Sequence, residues 1–138
     1  MKKEIGLFVC NDFGDQYLYP VNRTTFDKIG YENVITEEFG KYFFKEASLY
    51  VVIGSDSGLF VKYLLKKGFP DNSRFIFVEP QEILDRLPDV LDFISLPKEI
   101  AIISIESLVQ KLKDFNLNDY AYLDNVVTIK SVGAKDAF

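Results

Sequence analysis

The sequence predicts an α/β domain on a mostly parallel sheet, and three observations carry that expectation. Four short runs are apolar and rich in β-branched residues, as strands buried on both faces are: 49–53 (LYVVI), 74–78 (RFIFV), 99–104 (EIAIIS) and 126–129 (VVTI). Segments of helical composition separate them. A glycine turn, Gly54-Ser55-Asp56-Ser57-Gly58, joins the first run to the first of those helices. Strand, turn, short helix and strand make a βαβ unit, with parallel strands and a right-handed crossover. The expected whole is a three-layer sandwich with a Rossmann-like, mostly parallel sheet and a small N-terminal aromatic-rich lobe. A chain of 138 residues suits one such domain. Residues 1–45 form the lobe and 46–132 the βαβ core.

Taken in order, residues 5–10 read as a short strand, and Asn11, Asp12 and Gly14 mark a turn. Tyr17, Leu18, Tyr19 and Val21 suit a strand, but Pro20 reduces the segment to an edge strand or an irregular extended piece. The two segments pair as a small hairpin ahead of the main sheet. Thr24 or Thr25 caps a helix that Gly30 ends, and Thr36 followed by Glu37 and Glu38 starts another. Phe39, Phe43 and Phe44 form an aromatic stripe that reads as core.

Residues 59–67 are good helix formers, stopped by Gly68 and Pro70. Pro80 suits the first turn of a helix over 81–87, which Pro88 closes. Residues 91–95 fit a helix or a short strand. Residues 105–115 form an amphipathic helix with Leu108, Val109, Leu112 and Phe115 on one face. A helical turn is expected at 120–123, and the tail from Gly133 is polar.

Composition excludes several kinds of chemistry. Histidine is absent, which removes Ser-His-Asp and Cys-His catalysis and imidazole metal sites. Cys10, the only cysteine, sits in an apolar run and reads as small core filler. A formal charge of −5 and a pI near 4.8 argue against nucleic acid or an anionic membrane as partner. No apolar run reaches the roughly 18 residues of a membrane span, and none follows the amino terminus as in a signal peptide. The expected location is the cytoplasm. Thirteen Phe and eight Tyr exceed what a core of this size needs, so some aromatics are expected at the surface, where they mark interfaces.

The candidate site lies at the carboxyl ends of the first two strands, where open α/β sheets bind ligands. The glycine turn leads into a helix N-terminus with its free N–H groups, and Glu79 ends the second strand, where nucleotide-binding folds grip ribose hydroxyls. The two together are expected to border an open crevice. Gly54, Ser55, Ser57 and Gly58 would present backbone and hydroxyl donors, while Asp56 and Glu79 accept from ligand hydroxyls or an amine. Asp56 stands where a G-x-G-x-x-G motif has its middle glycine, and its carboxylate repels a pyrophosphate. A simpler reading stands beside this one. Asp56 or Ser57 caps the helix, and Glu79 is an N-terminal acid for the helix that follows.

The succession VVIGSDSGLFVKYLL, then RFIFVEP, resembles the amino-terminal domain of the motility accessory factor (Maf) family of flagellin glycosyltransferase-like proteins. The matching positions are Gly54, Gly58, Glu79 and Pro80, with Asp56 replacing the middle glycine, and YLYP at 17–20 looks like the family's lead-in. The resemblance implies a non-catalytic domain that positions a catalytic glycosyltransferase domain or its flagellin acceptor. In that family the catalytic candidate is a following domain with a G-x-G-P-S-L-type motif, which this sequence lacks. It also makes a nucleotide sugar one candidate ligand. The alternative is a class I methyltransferase-like domain, with Asp56 facing the amino group of S-adenosylmethionine and Glu79 the ribose. The turn-like pair Asp124-Asn125 is the nearest candidate there for orienting a substrate.

Overall fold

The computed structural model describes residues 7–23, 25–26, 29–39, 44–114 and 126–131. Strands β3 (Leu49–Ile53), β4 (Arg74–Glu79), β5 (Ile100–Ser104) and β6 (Val126–Lys130) form one sheet in the order β5-β4-β3-β6, parallel throughout. Helix α3 (Leu59–Lys67) crosses from β3 to β4. Side chains alternate along β3 as the pleat requires. Tyr50 and Val52 pack with Phe60 and Leu64 of α3, whereas Leu49, Val51 and Ile53 pack with Leu108 of α5 (Ile105–Asp114). α3 and α5 therefore cover opposite faces, and the domain is a three-layer Rossmann-like sandwich. Among the described residues no helix is long and apolar enough to cross a membrane.

The larger core is aromatic. Phe60 is fully buried among Phe39, Phe44 and Phe77, at ring-centre distances of 5.7, 6.1 and 5.4 Å. Tyr50 stacks on Phe75 at 5.0 Å across the β3–β4 ladder. Most of the described aromatics are consumed this way, and only Phe13 and Tyr19 rank among the exposed large hydrophobic residues.

Ahead of the sheet, β1 (Phe8–Cys10) and β2 (Gln16–Leu18) form the expected antiparallel hairpin. Four local expectations change here. The segment after Leu18 is not extended: Tyr19–Asn22 form one helical turn, α1, with Pro20 in its first turn, where the ring's fixed φ fits and its missing N–H is not needed. Cys10 is exposed, because it ends the short strand β1 opposite exposed Gln16, past the point where Phe8 and Leu18 meet the core. Gly30 does not end a helix but precedes α2 (Tyr31–Phe39), its carbonyl accepting from the Asn33 and Val34 amides. Thr36 lies inside α2 and donates to the Glu32 carbonyl at 2.7 Å. The acid that caps α2 comes from the hairpin, where Asp15 Oδ2 accepts from the Tyr31 amide at 2.7 Å. A cap that distant in sequence leaves no local signal.

After β4, helix α4 is shorter than expected (Gln81–Leu84), and 3-10 turns follow at Leu87–Asp89 and Phe93–Ser95. Thr24, Phe43, Phe115, residues 120–125 and the tail from 132 lie outside the described residues.

Candidate functional site

The sheet places both halves of the expected site on one edge. Ile53 pairs with Val78, the Gly54 amide donates to the Val78 carbonyl at 2.9 Å, and Glu79 ends β4 beside Ser104 of β5. The turn itself is sharply bent. Gly54, Asp56, Ser57 and Gly58 all have positive φ, at 84°, 52°, 58° and 87°. For the non-glycine pair this conformation is uncommon and needs support from its surroundings. Gly58 has a second constraint, since a Cβ there would stand 3.0 Å from Leu91 Cδ1.

The surroundings supply that support, and they close the crevice. Ser55, Asp56, Ser57 and Glu79 are 0, 1, 0 and 2% exposed. The N-terminal lobe lies over them. The Leu18 amide donates to Ser57 Oγ at 2.9 Å, and Ser57 Oγ donates to Asn22 Oδ1. Asn22 Nδ2 donates to Asp56 Oδ1 at 3.3 Å, and the Tyr31 hydroxyl donates to Asp56 Oδ2 at 2.9 Å. The open crevice expected from the sequence is thus filled by the chain's own residues 18, 22 and 31. The lobe is further held where the Arg86 guanidinium sits 5.6 Å from the Phe8 ring centre.

The helix N-terminus is also engaged. The Gly58 amide donates to Ser55 Oγ at 3.1 Å, the Leu59 amide to the Asp56 carbonyl and the Phe60 amide to the Ser55 carbonyl, both at 3.0 Å. The side chain that caps this turn is therefore Ser55, not Asp56 or Ser57. Glu79 likewise does not cap α4. It turns inward and accepts from Ser55 Oγ at 2.8 Å.

Burial dominates the electrostatics. The Glu79 carboxyl is raised to about 7: loss of water pushes it up most, the Ser55 hydrogen bonds pull it down, and the Asp56 charge adds to the rise. Tyr31 is pushed well above the usual phenol range by burial first, and then by Asp56. Among the described residues no group of three or more His, Cys, Asp or Glu is placed to hold a metal ion.

The strand order adds a residue that sequence reasoning missed. Because α3 and α5 cover opposite faces, the chain reverses direction across the sheet between β3 and β6, and such a switch point is where these folds open toward ligands. Ser131, just past β6, is buried there, and its amide donates to the Ile53 carbonyl at 2.9 Å. The last strand's place beside the first is not readable from periodicity. Asn22 and Tyr31 were also missed, although YLYP at 17–20, with Asn22 two residues on, stood out in the sequence. No family model, curated protein or solved structure matches the chain.

Proposed function

We propose that the chain is a non-catalytic, Rossmann-like positioning domain, similar to the amino-terminal domain of Maf-type glycosyltransferases. In this reading it acts in the cytoplasm and holds a catalytic glycosyltransferase domain, or flagellin as acceptor, during protein glycosylation. One observation supports it above the others: the glycine turn has its polar groups engaged inside the protein. The three amides that would cradle a phosphate at the start of α3 have internal acceptors. Glu79, the candidate ribose partner, is buried against Ser55. The same observation weighs against S-adenosylmethionine or a nucleotide sugar held at the closed turn.

Calorimetry at pH 6.5 tests this. The expected result is no micromolar binding of S-adenosylmethionine or of a CMP-linked sugar, together with retention of flagellin or a catalytic glycosyltransferase domain in a pull-down. Micromolar binding of S-adenosylmethionine that is lost in Glu79→Ala contradicts the reading and favours the methyltransferase-like alternative. Binding of the CMP-linked sugar contradicts it in favour of a direct part in sugar transfer.

A further inference from the structure

A cleft of about 130 Å³ opens between the hairpin, α2 and α3. α3 gives it Leu59, Lys62, Tyr63 and Lys66, which recur at i, i+3, i+4 and i+7 and so share one side of the helix. The hairpin gives Gly14 and Asp15, and the first turn of α2 gives Tyr31 and Glu32. Of the charged side chains here, only two are matched. Glu32 accepts from Lys66 at 3.0 Å, and from Lys67 of the same helix as well. Asp15 and Lys62 are both half-buried and carry opposite charges, yet they form no ion pair with each other or with any other described residue. Asp15 is fixed in place all the same. Its Oδ2 accepts from the Asn11 side-chain amide at 3.0 Å and from the Tyr31 amide at 2.7 Å. Among the described residues nothing donates to its Oδ1. The rest of the wall is apolar or aromatic: Leu59, and the rings of Tyr31 and Tyr63, edge to face at 6.5 Å. Tyr31 brings the cleft its ring, because its hydroxyl is committed to Asp56.

We propose that this cleft binds a small zwitterion, an α-amino acid with a short side chain. The ligand's carboxylate meets Lys62 and its ammonium meets Asp15 Oδ1. A lone anion would leave Asp15 unmatched, and a lone amine would leave Lys62 unmatched. A ligand that carries both charges matches both groups at once, in a half-buried setting where each contact is stronger than in open water. The size agrees, since a cavity of about 150 Å³ holds one benzene and this cleft is slightly smaller. Leu59 and the two rings suit a methyl or a similarly short aliphatic side chain. Asp15 is already oriented by its other bonds, so little freedom is lost when the ligand binds. The cleft lies outside the closed glycine turn, and its occupancy is independent of the positioning role.

An amide NMR titration of the full chain with L-alanine tests this. The expected result is a Kd of about 1–10 mM, with the shifts centred on Gly14, Asp15, Tyr31 and Tyr63. Propanoate, which lacks the amine, and ethylamine, which lacks the carboxylate, are each expected to bind at least about tenfold more weakly. L-Alanine is expected to bind Lys62→Met at least about tenfold more weakly as well, since methionine removes the ammonium and keeps most of the aliphatic stem. Lys98→Met, at an exposed position that is not part of the cleft, is expected to keep the wild-type affinity. A smaller loss for either analogue or for Lys62→Met overturns the proposal. So does the absence of shifts at about 50 mM L-alanine, or shifts centred elsewhere.

Discussion

Asp56→Ala is expected to destabilise the folded chain by about 2–5 kcal/mol, because it strips the acceptor from two buried donors at once. The Tyr31 hydroxyl and the Asn22 amide both end on this carboxylate, in a place where Asp56 itself is 1% exposed. Each unpaired buried donor costs about 1–3 kcal/mol. Two smaller effects act in opposite directions. Alanine tolerates the turn's φ of 52° less well than aspartate does, which adds to the loss. Removing the charge relieves Glu79, which offsets part of it. Urea unfolding measures the sum. Asp12→Ala, at an exposed position of the same lobe, serves as control and is expected to stay within about 0.5 kcal/mol of wild type. If Asp56→Ala matches that control, the carboxylate is not what holds the lobe.

Phe60→Ala is expected to cost about 3–5 kcal/mol, as large-to-small changes in a packed core do. The ring is fully buried and meets Phe39 from α2, Phe77 from β4, and Phe44 just ahead of β3. These rings are attached to separate elements, so the space left behind cannot collapse by moving one of them. Phe60→Leu, closer in volume, is expected to lose less than half as much. Ile94, 97% exposed, gives the contrast, and Ile94→Ala should stay within about 0.5 kcal/mol. A loss below about 1.5 kcal/mol for Phe60→Ala would mean that the aromatic cluster is loosely packed.

The βαβ core was legible in the sequence because its signals are local. Residues 49–53 and 75–78 are continuous apolar runs, and Gly68 ends α3 with its amide on the Leu64 carbonyl, as a helix-stopping glycine does. The lobe was legible only in part because its determinants are distant. Asp15 caps a helix that begins at Tyr31, and Asn22 finds its partners at Asp56 and Ser57. Cys10 looked internal because Leu7, Phe8 and Val9 precede it, but the core reaches only as far as Phe8 and Leu18, and Cys10 lies beyond them, paired with exposed Gln16. At the candidate site the sequence located the turn and Glu79 on the same edge. It gave no sign that the chain's own amino-terminal segment covers them, since burial of that kind follows from how two sub-structures pack and not from the pattern within either.

The claim on which the account depends is that the lobe is latched to the sheet through Asp56. A double-mutant cycle between Tyr31→Phe and Asp56→Ala, read by urea unfolding, isolates that link. Tyr31→Phe removes only the hydroxyl and Asp56→Ala removes its acceptor, and the cost of the lost side-chain volume, present with and without the hydroxyl, cancels in the cycle. The account predicts a coupling of at least about 1 kcal/mol. Destabilisations that simply add, within about 0.3 kcal/mol, would contradict it.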